Sequence, residues 1–378
     1  MTDPAHILHL HSTFSLGGKE ARAVQLMNAF GDSARHSIIS AMPDEMGARQ
    51  AIDPSIVVDY PDHAPSLQGK PGLRRYRAWA RYMRHFDLVL TYNWGAMDAV
   101  MAHRVAPGRL PPIIHHEDGF NADEADRLKR RRTVFRRLAF PTLNALVVPS
   151  DRLRDIAIAI WKQPRDRLHQ IANGVTISRY GHPPEPDAIP GFTRNPGDIV
   201  VGTVAGLREV KDLTRLVRAV AELPDNVRLV IAGEGPDRIK IAAEAEKCGI
   251  ADRVVLPGFL DRPWRYIGHF DIFALSSRSE QFPISVIEAM AAGLPVVSPN
   301  VGDVFNMVSI PNRALIVGKS ANLADPLRKL IEDAPLVRQI GAENRAKAED
   351  AFDEEHMIQA YSDLYSGAMQ RRDLLAGE

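Results

Sequence analysis

Short runs rich in Val, Ile and Leu alternate with amphipathic stretches along almost all of the 378 residues. Because parallel strands need a crossover between them, this alternation predicts parallel sheets built from right-handed βαβ units. In the first half, helical patterns at Glu20–Phe30 and Leu73–Arg84 separate predicted strands at His6–His11, Ser37–Ala41, Ile56–Asp59, Leu88–Thr91, Ile113–His116 and Leu146–Pro149. In the second half, strands are predicted at Ile199–Thr203, Val227–Ala232, Val254–Leu256, Ile272–Leu275, Val296–Ser298 and Leu315–Val317.

A Pro- and Gly-rich stretch interrupts the alternation near the middle of the chain. Proline fixes φ and ends helices, so this stretch predicts a domain boundary. We predict a first domain at residues 1–178, a linker at 179–198 and a second domain at 199–353. A last helical stretch, Glu354–Leu375, is expected to pack back toward the first domain. Two doubly wound sheets would bind ligands at the carboxyl ends of their strands.

Composition excludes several classes of protein. The formal net charge is zero and the pI is about 7.3, so no global field favours nucleic acid. Cys248 is the only cysteine, which excludes an internal disulfide and fits a reducing compartment. The first residues lack the basic and apolar regions of a signal peptide, and no apolar run approaches the 18 or so residues of a membrane span. We therefore expect a cytoplasmic protein whose membrane contacts, if any, are peripheral.

The segment from Ser276 to Gly302 has the start and stop signals of a strand, a loop and a helix. Pro283 suits the start of a helix, and Gly293 suits its end, so we predict a helix over about Ile284–Ala292. Its first backbone N–H groups, at Ile284, Ser285 and Val286, together with the helix dipole, would favour a phosphate.

Two carboxylates flank this predicted phosphate site. Glu280 lies in the strand–helix loop and Glu288 lies one turn or so inside the helix. A carboxylate repels a phosphate but accepts hydrogen bonds from hydroxyl groups, so this pair suits a ribose on one side and a hexose on the other. By spacing alone, two solvated surface charges are the alternative interpretation.

Three further loops follow predicted strands of the second domain. Arg208 and Lys211 follow its first strand, and a guanidinium with an ammonium group suits a diphosphate leaving group. The loops that begin at Gly233 and at Gly258-Phe259 would let the backbone approach a flat nucleobase closely.

In the first domain, Gly17-Gly18 follows the first strand and opens a helix, as at a phosphate site, but a plain turn is an equal alternative. The fifth strand runs into His115-His116-Glu117-Asp118, where four polar groups are expected at the carboxyl edge. Adjacent strand residues point to opposite faces, which disfavours a metal site. We therefore predict no metal.

Two stretches of the first domain are basic and could lie on an anionic membrane surface. A solvated face is the alternative interpretation. The first stretch interleaves aromatic residues and Met83 with Arg74, Arg75, Arg77, Arg81 and Arg84, and the second contains Lys129, Arg130, Arg131, Arg132, Arg136 and Arg137.

These segments together resemble the retaining glycosyltransferases of family 4. The resemblance covers nearly the whole chain and rests on GGKE at Gly17–Glu20, NGV at Asn173–Val175, GLREVKD at Gly206–Asp212, IAGEGP at Ile231–Pro236 and SRSEQFPISVIEAMAAGLPVVSPNVGDV at Ser277–Val304. The last contains the family's signature of two glutamates separated by seven residues.

The resemblance implies the GT-B fold, two facing Rossmann-like domains with a C-terminal helix crossing back to the first, and no cofactor or metal. It implies that Glu280 holds the donor sugar, that Glu288 binds the ribose, and that Arg208 and Lys211 bind the diphosphate. The predicted donor site also includes Gly17, Gly18, Gly233, Gly258, Phe259, Gln281, Phe282, Pro283, Ile284 and Ser285.

The sequence departs from the family pattern in three places. Ala205-Gly-Leu replaces the usual Gly-Arg-Leu, so that Arg208 supplies the guanidinium; Gln281 stands where glycine is commoner; and Asp118 aligns with a position often held by histidine. We predict that Asp118 stabilises positive charge during transfer and that His116 positions it.

The implied reaction moves a hexose, with retention, from a nucleoside-diphosphate sugar such as a UDP-sugar to a hydroxyl group. The acceptor would be a saccharide or a lipid-linked molecule in polysaccharide or glycolipid synthesis. A sugar-nucleotide epimerase of the same fold and a non-catalytic nucleotide-sugar-binding subunit remain alternatives.

Overall fold

The computed structural model describes residues 3–15, 17–70, 72–120, 124, 128–371 and 374–375. The chain divides into two compact units. Unit 1 comprises Met1–Asn173 with Glu355–Glu378, and unit 2 comprises Gly174–Glu354. The predicted linker at 179–198 therefore lies within unit 2, because its backbone packs on that unit: Glu185 N–H, for example, donates to Arg265 C=O at 2.7 Å.

Unit 1 contains a seven-stranded parallel sheet in the order β3-β2-β1-β4-β5-β6-β7. Its strands are β1 Ala5–His11, β2 Ala34–Ser40, β3 Val58–Asp59, β4 Leu88–Tyr92, β5 Ile113–His116, β6 Ala145–Val148 and β7 Leu168–Gln170. The sequence pattern missed β7, because it is a three-residue edge strand without a buried apolar face.

Helices cover both faces of this sheet. They are α1 Gly18–Phe30, α2 Leu73–Met83, α3 Met97–Val105, α4 Arg130–Ala139 and α5 Asp151–Ala159. Two apolar clusters form the core, one around Trp79, Met83 and Trp161 and the other around Met27, Phe30 and Leu90. The start of α5 illustrates how the sequence sets its boundary, because the Ser150 hydroxyl accepts from Leu153 N–H at 3.1 Å.

Unit 2 contains a six-stranded parallel sheet in the order β10-β9-β8-β11-β12-β13. Its strands are β8 Ile199–Val204, β9 Val227–Ala232, β10 Val254–Gly258, β11 Ile272–Ala274, β12 Val296–Pro299 and β13 Ile316–Val317. Its helices are α6 Leu213–Ala221, α7 Arg238–Lys247, α8 Ile284–Ala291, α9 Val304–Met307, α10 Ala324–Glu332 and α11 Ala334–Ala351.

The last helix, α12 at Glu354–Met369, packs on unit 1. Met357, Tyr361 and Tyr365 follow one another at four-residue intervals and are buried in the unit 1 core. None of the described helices combines the length and apolarity needed to cross a membrane.

Both sheets reverse their strand order at one point, and this point locates the sites. In unit 1 the reversal lies between β1 and β4, and in unit 2 it lies between β8 and β11. Open parallel sheets bind ligands outside the carboxyl ends of the strands at such a point. The prediction of two Rossmann-like parallel-sheet domains is confirmed.

Candidate functional site

In unit 2, the loops that follow β8 and β11 are joined at the reversal of strand order. Ser276 Oγ donates to the backbone carbonyl of Lys211 at 2.8 Å, and Arg278 N–H donates to Val210 C=O at 2.8 Å. These bonds hold two segments together that are about 65 residues apart in sequence. The structure thus brings Lys211 and Glu280 to one place, as their positions at the carboxyl ends of neighbouring strands predict.

Glu280 is fixed by two donors on the same oxygen. Lys211 Nζ lies 2.5 Å from Glu280 Oε1, and Ser277 Oγ donates to that oxygen at 2.6 Å. Its second oxygen, Oε2, takes part in neither bond. Glu280 is therefore not a solvated surface charge, and the arrangement leaves an acceptor for a ligand hydroxyl beside a lysine ammonium group.

Arg208 contributes a second cation to the same loop. It is exposed, and within the described part of the chain its guanidinium has no hydrogen-bond or ion-pair partner. Five N–H donors are thus available to an anion, in the fork geometry that suits phosphate oxygens. An exposed Arg208 and a singly paired Lys211 can both turn toward a bound diphosphate.

The helix α8 begins directly after this loop, at Ile284, with Pro283 as its N-terminal cap, and it is followed by Gly293 at φ +72°. Val286 N–H donates to Pro283 C=O at 3.1 Å, so it is not available to a phosphate, as we expected it to be. The N–H groups of Ile284 and Ser285 point out of the first turn and are not used by the helix itself. The start of α8 therefore offers two such donors to the predicted phosphate rather than three.

Glu288 lies one turn inside α8 and is largely enclosed. Burial raises its pKa to about 7, although a hydrogen bond from Tyr180 opposes the rise. A carboxylate that is close to half-protonated at neutral pH can both accept and donate hydrogen bonds, which suits a ligand hydroxyl group. Tyr180 was not predicted as a site residue, because only the fold shows that it reaches Glu288.

The structure also gives the surroundings of four other predicted donor residues of unit 2. Gly233 has φ +147°, and a Cβ there would lie 1.9 Å from Ala205 O, so the backbone is as close as a glycine permits. Phe259 follows Gly258 and is 62% exposed, so its ring is accessible to solvent. Gln281 Oε1 is buried without a hydrogen-bond partner among the described residues. Phe282 packs edge-on against Phe352, with ring centroids 5.7 Å apart.

In unit 1, Gly17 caps the N-terminus of α1 and Gly18 is its first residue, and both are exposed. Lys19 donates to Thr13 C=O at 3.1 Å and pairs with Glu20, which is buried. The exposed backbone at this helix start fits the predicted phosphate contact, and the Lys19 charge is already partly used.

The four polar residues at the end of β5 divide between the two sides of the sheet. We expected all four at the open edge, but His115, His116 and Glu117 are buried and only Asp118 is partly exposed. The physical reason is the alternation of a strand, which sends Glu117 and His115 to one side and Asp118 and His116 to the other.

Glu117 forms a buried salt bridge with Arg136. Arg136 Nε and Nη2 donate to the two carboxylate oxygens at 3.0 and 2.8 Å, and His115 Nε2 lies 3.3 Å from Oε2. Burial would raise the pKa of Glu117, but Arg136 and His115 outweigh it and hold the pKa below its ordinary value. Arg136 is thus a core residue, not part of a basic surface.

Asp118 forms a bidentate salt bridge with Arg22, as Glu117 does with Arg136. Arg22 Nη1 donates to Oδ1 at 2.5 Å and Nη2 donates to Oδ2 at 3.0 Å, while Nη1 also reaches Asn173 Oδ1 at 2.9 Å. Burial would raise the pKa of Asp118, but the Arg22 charge and hydrogen bonds outweigh it and lower the pKa. Asp118 is therefore ionised at neutral pH.

His116 lies behind Asp118 and makes two hydrogen bonds inside unit 1. Its Nδ1 faces Thr91 C=O at 3.2 Å and its Nε2 faces Tyr365 Oη at 2.8 Å. Because a carbonyl only accepts, Nδ1 carries the proton and Nε2 accepts from the Tyr365 hydroxyl. Burial, with the nearby Arg22 charge, lowers the pKa of His116 to about 3, so the ring is neutral.

Sequence patterns did not identify Arg22, Asn93 or Tyr365 as parts of this site. Arg22 lies in an amphipathic helix, where a surface charge is expected, and Tyr365 lies about 250 residues from its partner. Only the motif Asn-Gly-Val carried a signal, because its Asn173 turns out to bind Arg22. Within the described part of the chain, no three His, Cys, Asp or Glu side chains are grouped closely enough to hold a metal ion.

Comparison with solved structures identifies the fold. The chain resembles HepE from Anabaena in complex with UDP, with a TM-score of 0.76 and 21% identity over 96% of this chain and 100% of that one. It resembles sucrose-phosphate synthase from Thermosynechococcus elongatus with a TM-score of 0.76 and 18% identity, over 97% of this chain and 99% of that one. At these identities the likeness shows the GT-B fold alone.

Sequence comparison finds curated relatives that are mostly matched over part of their length. The chain is 27% identical to an N-acetyl-alpha-D-glucosaminyl L-malate synthase of Bacillus anthracis, over 43% of this chain and 44% of that protein. It is 32% identical to a 2-deoxystreptamine glucosyltransferase of Streptomyces kanamyceticus, over 39% and 40%. A D-inositol 3-phosphate glycosyltransferase of Xylanimonas cellulosilytica matches at 26%, over 81% and 71%.

Two family models match successive parts of the chain. The model described as Glycosyltransferase Family 4 matches residues 16–179, and the model described as Glycosyl transferases group 1 matches residues 186–347. Together they cover most of both units, including the loops that carry Asp118, Lys211 and Glu280. The chain therefore belongs to the family 4 glycosyltransferases, with a group 1 domain in its second half.

Proposed function

We propose that this protein transfers a hexose from a nucleoside-diphosphate sugar to a hydroxyl group, with retention of the anomeric configuration. The observation that carries the proposal is the cluster at the reversal of strand order in unit 2. There Arg208 and Lys211 offer positive charge, the start of α8 offers two N–H donors, and Glu280 and Glu288 offer hydroxyl acceptors. This set matches a diphosphate flanked by two sugars.

Cations of the protein supply the charge that a leaving diphosphate needs, so the proposed transfer uses no metal ion. The spacing of Glu280 and Glu288, which resembles that of retaining family members, supports retention. In the proposed reaction the bond between the anomeric carbon and the diphosphate oxygen breaks. The acceptor oxygen bonds to that carbon on the same face, and the leaving diphosphate takes the acceptor's proton.

A thermal-shift panel of UDP, GDP and ADP tests the donor assignment. A ligand that binds the folded protein raises its melting temperature, and we expect one of the three, UDP first, to do so. The UDP complexes of HepE make UDP the first choice. If none of the three changes the melting temperature, the donor assignment is wrong.

Product analysis with and without acceptor distinguishes transfer from its alternatives. A transferase releases nucleoside diphosphate and forms a glycoside only when an acceptor is present. An epimerase would release nucleoside diphosphate without any acceptor, and a binding subunit would release none. Proton NMR of the new glycoside, compared with the donor, reports retention directly.

We also propose a saccharide or lipid-linked acceptor in polysaccharide or glycolipid synthesis, used by a cytoplasmic protein at the inner face of the membrane. Support comes from α2 and α4, which both pack on α3 and expose basic side chains. The exposed apolar residues Leu73, Val134 and Leu138 lie on the same two helices.

Two arginines of the predicted basic stretches do not contribute to this surface, because Arg75 pairs with Asp98 and Arg136 is buried. The interleaved residues Trp79 and Met83 lie in the core.

Co-sedimentation with vesicles of anionic phospholipid tests the membrane contact. We expect binding at low salt that weakens at high salt, because Debye screening shortens the reach of surface charges. A variant with Leu73 and Leu138 changed to Ser should bind less at both salt concentrations. If the wild type does not bind at low salt, the membrane proposal is rejected.

A further inference from the structure

Arg22 binds Asp118, and its role rests on the proposed function, in which Asp118 acts in transfer. Arg22 lies in α1, 96 residues before Asp118. Its side chain is only 2% exposed, whereas that of Asp118 is 12% exposed. A buried arginine therefore holds a carboxylate whose outer edge reaches the surface, at the carboxyl end of β5.

The geometry of the pair fixes the direction of the carboxylate. Two guanidinium nitrogens meet the two oxygens of Asp118, a bidentate arrangement that defines the plane of both groups. The guanidinium is itself fixed, because Nη1 also donates to Asn173 Oδ1 and the group lies 5.5 Å from the centroid of the Tyr361 ring. Arg22 does not use the remaining lone pairs of Asp118, whose side chain is 12% exposed.

The backbone of Asp118 is held separately by Asn93. Asn93 Oδ1 accepts from Asp118 N–H at 2.7 Å, and Asn93 N–H donates to His116 C=O at 2.8 Å. Asn93 has φ +54°, a left-handed conformation that few residues other than glycine adopt. Strained residues of this kind are kept where the surrounding structure over-determines them, often at functional sites.

Among the residues that the structure describes, the other groups near Asp118 do not supply a positive charge that could replace Arg22. His116 is neutral, because burial and the Arg22 charge lower its pKa to about 3. Tyr92, Tyr361 and Tyr365 are neutral, because burial raises the pKa of each phenol well above its ordinary value. Lys19 also faces Asp118, but it pairs with Glu20.

We propose that Arg22 is a positioning residue of the transfer reaction, which orients the Asp118 carboxylate at the open edge of unit 1 and keeps it in its charged form. Arg22 does not touch the substrate. It acts through Asp118, whose charge stabilises the positive charge that develops at the transferred carbon.

The test is the pH profile of kcat, measured with the sugar nucleotide that gives acceptor-dependent product. In the wild type Asp118 stays ionised between pH 5 and 8, because its pKa is lowered. In Arg22→Gln the burial remains but the opposing charge is lost, so the pKa of Asp118 rises. The ratio of variant to wild-type kcat should then fall about tenfold from pH 8 to pH 5. This ratio cancels the titration of groups that both enzymes share, such as Glu288.

Arg22→Lys separates charge from geometry and serves if Arg22→Gln does not fold. Lysine retains the charge but cannot form the bidentate pair. We expect a kcat lowered about tenfold at every pH, a profile of wild-type shape, and an unchanged Kd for the nucleoside diphosphate, whose predicted contacts are in unit 2. A wild-type kcat in Arg22→Lys, or a ratio for Arg22→Gln that is constant with pH, overturns the proposal.

The variant Asp118→Asn distinguishes an error about Arg22 from an error about the role of Asp118 in transfer. If Asp118→Asn has near-normal turnover, Asp118 does not act in transfer and the role of Arg22 falls with it, while the donor site of unit 2 is unaffected. If Asp118→Asn is inactive and the Arg22 variants behave like the wild type, only the inference about Arg22 is wrong.

Discussion

The carboxyl-terminal edges of the two sheets both gather charged side chains, but they hold them differently. In unit 1, Arg22 and Arg136 are buried and each binds both oxygens of one carboxylate. In unit 2, Lys211 makes one contact with Glu280, and Arg208 is exposed without a partner among the described residues. The two arginines of unit 1 are therefore occupied within the fold, whereas the cations of unit 2 are available to a ligand.

This difference separates two uses of charge at equivalent places in one type of sheet. A buried bidentate pair fixes geometry, and removing one partner leaves an uncompensated charge in the core. An exposed cation contributes little to folding but much to the binding of an anion. Variants of the two edges should therefore lose different properties, namely stability of the fold in unit 1 and affinity for the ligand in unit 2.

The largest effect is expected in folding, for Arg136→Met. This change leaves the Glu117 carboxylate buried with His115 as its one remaining side-chain partner among the described residues, which should lower the free energy of unfolding by about 3–5 kcal/mol. Urea denaturation followed by circular dichroism measures it. Arg130→Met, on the exposed face of the same helix, is the control and should change the value by less than about 0.5 kcal/mol. Equal effects of the two changes would contradict the contrast.

In unit 2, Lys211→Met should weaken nucleotide binding rather than folding. Loss of one charged contact to a phosphate is worth about 1.5–3 kcal/mol, which corresponds to roughly a 10- to 150-fold rise in Kd. Isothermal titration with the nucleoside diphosphate identified by thermal shift measures the change. Lys240→Met, an exposed lysine of α7, should leave Kd unchanged. A Kd for Lys211→Met within twofold of the wild type would show that this lysine does not contact the ligand.

Glu288→Gln should have opposite effects on the two properties, because it raises the stability of the fold while it lowers the affinity for the nucleoside diphosphate. The folded-state pKa of Glu288 is about 7, above its ordinary value of 4.5. The folded protein thus retains a proton that the unfolded chain has already released, so wild-type stability falls as pH rises from about 4.5 to 7. Glutamine does not titrate. Its advantage should be absent near pH 4.5 and reach at most about 3 kcal/mol at pH 8, because each unit of pKa difference is worth about 1.4 kcal/mol.

Melting temperatures of both proteins at pH 5 and pH 8 measure this advantage. The affinity of the same variant for the nucleoside diphosphate should fall, because an amide accepts ribose hydroxyls less strongly than a carboxylate does. A stability difference that is constant with pH would mean that Glu288 does not titrate in this range.

The smallest effect is expected for Phe259→Ala. The ring is 62% exposed, so its removal should change the free energy of unfolding by less than about 0.5 kcal/mol. If the ring stacks on the base, Kd for the nucleotide should rise about fivefold, the equivalent of about 1 kcal/mol of stacking. Ile239→Ala, another exposed apolar residue of unit 2, should leave Kd unchanged.

The sequence alone determined the two parallel sheets and most of their strand bounds, because alternation and punctuation are local signals. The predicted strand Ile113–His116 and the predicted start of α8 at Ile284 both agree with the structure. It also placed Lys211 and Glu280 at one edge, because the carboxyl ends of neighbouring parallel strands meet there.

Only the tertiary structure decided which partner each charge takes. Nothing local to Glu117 and Asp118 indicates that one pairs with Arg136 and the other with Arg22, because those choices depend on which helix packs on each side of β5. The same holds for the Tyr365 hydroxyl on His116 and for Tyr180 beside Glu288. Periodicity tells which side a residue faces, but the packing of distant helices determines what it meets there.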